Sequence, residues 1–299
     1  IPLDDDVVAD APVAPPTQRA LFAYGYTGSV VSMSNLCNSS GVVATDTTGV
    51  GTARRALAAA TYGTDKAIFA YGNTGSVSSL SNLVSNSGVV ATDTTGVGTA
   101  RDYLAAAGYG STGQAIFGYG DIAPPLVSTT NLVSNSGVVA TDTTGVGTAR
   151  SQLAAAKYGG DKAIFGYGHT PDTAVTNLVS NTGVVATDTA GVGSARRLLA
   201  AATYGTDKAL FGYGYTSGDV SITNLVSNTG VVAADVTGVG TARRELTATG
   251  YGGDKAIFGY GNTGSSLSMT NLVSNSGVVG SDVSGVGTAR KDLAAAGYS

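Results

Sequence analysis

Short apolar runs, parted by polar links rich in glycine, fill the chain from about residue 19 to its end, and the order of the runs repeats. One run, Ala163–Gly168, sets Ala, Phe and Tyr against Ile, Gly and Gly, the period of two expected of a strand. Two more, Thr176–Ser180 and Val184–Asp188, flank an Asn-Thr-Gly link. A short glycine-bearing link between β-branched runs predicts a hairpin. The remaining run reads "LAAAxY" and is ambiguous. With "TAR" before it the stretch has good helix propensity, yet three consecutive small residues suit a short strand on a crowded inner face. Each period therefore predicts four strand-length runs.

The arginine of "GVGTAR" or "GVGSAR" marks the period. It falls at Arg54, Arg101, Arg150, Arg196, Arg243 and Arg290, with spacings of 47, 49, 46, 47 and 47 residues. All six Phe take one place in the repeat, and twelve of the fifteen Tyr take two others, so the aromatic residues belong almost wholly to the scaffold. Four strands in ~47 residues is the spacing of a β-propeller blade, whose two faces both pack on neighbours. The pattern predicts an all-β fold: a six-bladed β-propeller over residues 19–299, with four antiparallel strands per blade. Strand glycines such as Gly166 then admit the next blade. The repeats begin on the second run near Ala20 and finish on the first, Leu293–Tyr298. A C-terminal strand joining the N-terminal blade would close the ring and leave no free edge. An open solenoid would instead want polar capping repeats.

An Arg, a strand, a second strand ending in a glycine-flanked aromatic, then a hairpin leading to the next Arg resembles the kelch-type propeller repeat. The Gly-Gly doublet of that repeat is here Gly166-Tyr167-Gly168, and its Trp is absent throughout. Units such as "DKAIFGYG" (161–168) and "TNLVSNTGVVATDTAGVGSAR" (176–196) are similar to kelch-like repeat proteins of marine and cyanobacterial tailed phages, over about residues 19–299. The resemblance implies a virion structural or fibre-associated protein, located at the virion surface or outside a cell. It transfers no functional residue, because that family offers no catalytic motif to map.

Composition narrows the partners. A net charge of −4 and a pI near 4.8 leave no basic footprint, which argues against nucleic acid. No apolar run approaches the ~18 residues of a membrane span, and no signal peptide is visible. The 44 glycines lack a G-X-Y period and so read as turns and close backbone contacts. A single cysteine cannot form an intrachain disulfide.

Candidate chemistry is sparse. "GVG" lacks the third Gly and the Lys of a phosphate loop and occurs six times, so it reads as a turn between blades. Asp46, Asp93, Asp142, Asp188, Asp235 and Asp282 each stand eight residues before an Arg of the period and are expected to form scaffold ion pairs with those arginines. Near-equivalent carboxylates cannot divide the two roles of an acid–base pair. His169 is the one histidine, which excludes a His-based metal cluster within the chain. Cys37 stands where other copies have Val84, Val133 and Val179, a buried strand position, and lies three blades from His169 in this arrangement. The lysines of "DKA" sit beside a turn, where solvation suits them. No enzyme activity, cofactor or metal is expected.

Differences among the six copies concentrate in two places. The link between the second and third runs reads "YTGSVVS" (26–32), "NTGSVSS" (73–79), "DIAPPLVS" (121–128), "HTPDTAV" (169–175), "YTSGDVS" (215–221) and "NTGSSLS" (262–268). The other place follows the Arg, at Asp102-Tyr103, Ser151-Gln152 and Arg244-Glu245. In an antiparallel blade both links emerge on one face, around one mouth. The three tyrosines outside the scaffold, Tyr26, Tyr103 and Tyr215, fall here, with Asp121 and His169. Tyr amid Ser, Thr, Asn and Gly suits adaptable polar recognition, and these five residues are the candidate ligand-binding face. Residues 1–18, rich in Pro and Asp, belong to no repeat and read as an extended arm docking on neighbouring subunits or other virion proteins. The expected function is a non-enzymatic virion surface, tail or fibre component in a larger assembly, meeting host-surface polysaccharide through one face. A ligand-free decorating protein and a soluble multivalent lectin are the alternatives.

Overall fold

The computed structural model of the protein describes residues 18–299, and every named element is a β-strand. The expected docking arm, 1–18, lies outside the described residues except for Gln18. Eighteen strands form six three-stranded antiparallel sheets. The first sheet holds both ends of the described chain: β1 (Arg19–Ala23) lies between β2 (Ser34–Cys37) and β18 (Ala294–Tyr298). The register runs from Arg19 opposite Tyr298 to Ala23 opposite Ala294. The second sheet is β3 (Ala58–Tyr62), β4 (Lys66–Ala70) and β5 (Ser81–Val84), and the third β6 (Ala105–Tyr109), β7 (Gln114–Gly118) and β8 (Thr130–Val133). The fourth is β9 (Ala154–Tyr158), β10 (Lys162–Gly166) and β11 (Thr176–Val179), and the fifth β12 (Ala200–Tyr204), β13 (Lys208–Gly212) and β14 (Thr223–Val226). The sixth is β15 (Thr247–Tyr251), β16 (Lys255–Asn262) and β17 (Ser266–Val273). Six blade-like sheets of one design are consistent with a six-bladed propeller.

The ambiguous "LAAAxY" run is a strand in every copy. In β9 burial alternates, with Ala154, Ala156 and Tyr158 buried and Ala155 and Lys157 half-buried. Small side chains let the six first strands crowd together. β3, β6, β9, β12 and β15 each contact the next in turn, and β18 contacts both β15 and β3.

The fourth run differs from expectation. It is not a strand of the sheet but an edge segment held at two points, such as Val179 to Val185 and Thr176 to Thr189. Those pairs are offset by one residue, so an extra residue bulges out between them. The Asn177 side chain reaches into the bulge, donating to the Ala186 carbonyl at 3.0 Å. A side chain thus replaces the ladder bonds that would have made a fourth strand, and each sheet has three strands instead of four.

The hydrophobic cores lie between sheets. Phe211, Leu199 and Val226 of the fifth sheet pack with Ile164, Tyr158 and Tyr167 of the fourth. Equivalent cores join each successive pair of sheets, and one sets Phe22 and Cys37 of the first sheet against Ile257 and Tyr260 of the sixth. The Gly-Tyr-Gly phrase serves this packing. Tyr167 holds φ at 62° and Gly168 at 111°, so the chain turns sharply at the end of β10. The left-handed Tyr costs about 1–2 kcal/mol. In return its ring crosses to the next sheet and meets Phe211 edge-on, with ring centroids 5.1 Å apart.

Candidate functional site

The six repeat arginines are wholly buried. Arg150 shows how a charge is kept there. Its Nε donates to the Tyr167 carbonyl at 2.8 Å, and its Nη atoms donate to the Thr148 carbonyl at 3.1 Å and to Asn177 Oδ1 at 2.8 Å. The guanidinium also lies 4.3 Å from the ring centroid of Tyr119, in the preceding sheet.

The aspartate partner is not the one that the eight-residue spacing suggests. Asp142 binds Thr99 and Asn131 in the preceding sheet, whereas the carboxylate in the sheet of Arg150 is Asp188, from the next copy. Of the six repeat arginines only Arg54 and Arg290 come within ion-pair distance of a carboxylate, Asp93 and Asp46, each at 3.9 Å. Elsewhere an asparagine stands between the charges. Asn177 Nδ2 donates to Asp188 Oδ1 at 2.9 Å while its Oδ1 accepts from Arg150. The Thr148 backbone N–H and hydroxyl donate to the same carboxylate. Burial opposes ionisation of Asp188, but these donors, with Arg150, hold its carboxyl below the usual value. The turn resembling a phosphate loop therefore binds the protein's own carboxylate.

The two variable zones lie side by side. Arg55 bridges to Asn73, Asp102 to Asp121, Ser151 to His169, Arg197 to Tyr215, Arg244 to Asn262 and Lys291 to Tyr26. Of the five candidate binding residues, four stand on the rim of this face and none is fully exposed. The Arg55 guanidinium lies 4.9 Å from the Tyr26 ring, and those of Arg197 and Arg244 lie 5.0 Å from that of Tyr215. Asp172 accepts from Arg197 at 2.8 Å and lies 2.8 Å from His169 Nδ1. Asp219 accepts from Arg244 at 2.7 Å. Asp121 accepts from the Ala123 backbone N–H at 2.7 Å.

Tyr103 is elsewhere. It belongs to an inner ring with Ala56, Gln152, Leu198, Glu245 and Asp292, all left-handed with φ between 48° and 56°. Within this ring each backbone N–H donates to the carbonyl of the preceding member, and Ala56 donates to Asp292 at 2.8 Å. The ring encloses a cavity of about 70 Å³. Asp292 is 7% exposed. Burial, with Glu245 and Asp102 alongside, pushes its carboxyl up to about 7, against the pull of Lys291 and Arg55. Glu245 itself meets Lys291 Nζ at 2.8 Å and the Asn262 side-chain amide at 3.0 Å.

From this mouth a channel runs between the first strands, past leucines such as Leu57 and Leu104 and past Ala59, Ala106, Ala155 and Ala201. It widens at the other end into a cavity of about 270 Å³. There a second set of bonds runs from sheet to sheet, including Gly63 N–H to Gly113 at 2.7 Å, Gly252 N–H to Gln18 and Ser299 N–H to Asp65, both at 2.9 Å. The cavity wall includes the "x" of "LAAAxY" in all six copies, Thr61, Gly108, Lys157, Thr203, Gly250 and Gly297, together with Gln18, Asp254 and Lys255. Sequence reasoning passed over this position. The signal was there, since x varies while the letters around it barely change.

The remaining candidates take structural places. Cys37 is fully buried, and burial pushes its thiol up to about 12. His169 contacts Asp172 and Arg197. Among the described residues no group of His, Cys, Asp and Glu is arranged to hold a metal ion. The space between sheets is filled by Arg, Tyr and Phe side chains with no exposure. No protein-family model matches this chain, and no curated protein is significantly similar to it in sequence.

Proposed function

We propose that the chain is a closed, kelch-like six-bladed propeller that binds instead of catalysing, with its variable rim as the contact face. Support for closure comes from the pairing of β1 with β18 and from the core between the first and sixth sheets. The observation that carries the functional reading is the clustering of both variable zones around one mouth, while nearly every other residue type in the repeat serves packing. The rim offers tyrosine faces flanked by arginines and carboxylates, a surface suited to hydroxyl-rich, acid-bearing polymers such as host-surface polysaccharide. The likeness of the repeat to phage kelch-like proteins supplies the setting: a virion surface, tail or fibre component, joined to its neighbours through residues 1–18.

The test is binding of the full chain to a bacterial-glycan array and to candidate host cells, beside Tyr215→Ala and a chain with 121–128 replaced by the 73–79 link. Saturable binding that these changes weaken supports an adhesin. No binding leaves a purely architectural decorating protein, and binding indifferent to both changes refutes the rim as the contact face. Electron-microscopy averages viewed down the axis should show six lobes in an unbroken ring; an open arc would refute the closure.

A further inference from the structure

Five of the six sheets hold their arginine in one way. Its Nη2 donates to the Oδ1 of an asparagine on the outer strand, at 2.6 Å for Asn82, 2.8 Å for Asn177 and 2.7 Å for Asn131, Asn224 and Asn271. The first sheet departs from this. There Arg290 comes from the C-terminal part of the chain and Asn35 from the N-terminal part. Arg290 Nη2 turns to the Phe22 carbonyl at 3.4 Å, and Asn35 Oδ1 is buried with no hydrogen-bond partner among the described residues. A buried acceptor left unpaired weakens the arrangement that leaves it so. The third sheet drops a different bond, that of Arg101 Nε, and keeps its asparagine. Two further ties are missing from the first sheet. In the second, fourth, fifth and sixth, an asparagine of the outer hairpin reaches an aspartate in the turn between the first two strands. The pairs are Asn86–Asp65, Asn181–Asp161, Asn228–Asp207 and Asn275–Asp254, at 3.0 to 3.4 Å. Ser39 takes the place of that asparagine in the first sheet. No turn joins β18 to β1, which lie at opposite ends of the described chain.

The seam keeps the β1–β18 ladder, the Tyr26–Lys291 bridge, and bonds from Thr288 to Asp46 and from Arg290 to the Tyr24 and Phe22 carbonyls. Local opening starts in the parts of a fold that have the fewest ties. We propose that the first sheet opens by itself, through parting of β1 from β18, while the other five sheets stay folded. The C-terminal segment then leaves the core between the first and sixth sheets, where Leu293 and Ala295 pack with Cys37. Cys37 has no exposure in the closed form, so the opening uncovers its thiol. The thiol serves as a built-in reporter of the joint. The inference rests on the β1–β18 pairing and is independent of what the rim binds.

The experiment is labelling of Cys37 in the full chain with N-ethylmaleimide, without denaturant, followed by mass spectrometry. The comparison chain carries Cys37→Val and Val179→Cys, which moves the thiol to the same place in the fourth sheet, also without exposure. Each rate is divided by that of the same chain unfolded in urea, which removes differences in intrinsic reactivity. Cys37 should label at least tenfold faster than the thiol placed at 179. Urea well below the unfolding midpoint should hardly speed it, because a local opening exposes little surface. Equal labelling of the two chains overturns the proposal. Hydrogen exchange of the parent gives a second reading that needs no variant. Amides of β1 and β18 should exchange at least tenfold faster than those of β9 and β10, and equal protection overturns the proposal. Exchange in β1 and β18 at the rate of an unfolded chain would mean that the two never pair, which overturns the closed ring as well.

Discussion

Replacing Asp292 by Asn should raise stability at neutral pH and leave it nearly unchanged at pH 4. The Asp292 carboxyl is 7% exposed, and burial first, then the Glu245 charge, raises it from 3.8 to about 7. Between about pH 4 and pH 7 the folded protein therefore keeps a proton that the unfolded chain has released. Stability falls as pH rises through that window, since the folded state binds more protons there. At ~1.4 kcal/mol for each pH interval, a gap of about 3 amounts to roughly 4 kcal/mol lost by pH 8. Asn has the shape of the protonated acid and no charge to bury, so the variant escapes the loss. For a chain of this size the difference corresponds to roughly 8 °C in thermal midpoint. The assay is thermal unfolding of both proteins from pH 4 to pH 8. Taking the difference between them removes the contribution of every other carboxylate. Midpoint curves that stay parallel across that range would refute the reasoning.

Arg150→Ala strands the Tyr167 carbonyl and Asn177 Oδ1 in a buried site and uncovers the Tyr119 ring, which should cost about 3–5 kcal/mol; a urea midpoint within error of the parent would contradict the relay. Gly166→Ala puts a Cβ 2.6 Å from Phe211 Cζ and should cost about 1–3 kcal/mol by overpacking. Ala23 and Ala70 stand at this place in two other copies, where the Tyr–Phe centroids are 5.6 and 5.4 Å apart against 5.1 Å for Tyr167 and Phe211, while Gly259 keeps its glycine beside a pair 5.4 Å apart. Denaturant titration of Gly166→Ala beside Ala70→Gly checks the difference, and equal effects would count against it. The six relay aspartates are all held below 3.8, against burial, by their Asn donors and by Thr or, at Asp235, Ser194. Their contribution is complete above that pH and is lost as pH falls through the lowered values. Unfolding on acidification should therefore begin below pH 4, and Asp188→Asn should remove part of that acid sensitivity.

Much of the fold was legible because a strand records its surroundings residue by residue. Alternation in "AIFGYG", the three small residues of "LAAA" and the offset of the repeat against the termini led from the sequence to six equivalent sheets and to the pairing of β1 with β18. The variable links could also be placed on one face, since antiparallel order alone brings them together. What the sequence could not decide was which of several identical residues meet. Asp142 and Asp188 are the same letter in the same phrase, and only the packed structure turns Arg150 toward the sheet of the second. The fourth run reads as a strand by composition, but a one-residue offset, filled by the Asn177 side chain, denies it a ladder. Tyr103 shares its sequence neighbourhood with the rim, yet a left-handed backbone and a bond to Ala56 draw it into the mouth. Lys157 and the other x residues, scattered along the chain, meet around one cavity only when the six first strands come together. Periodicity is local and is written along the chain; the pairing of distant copies depends on register and packing, which arise only when the sheets come together.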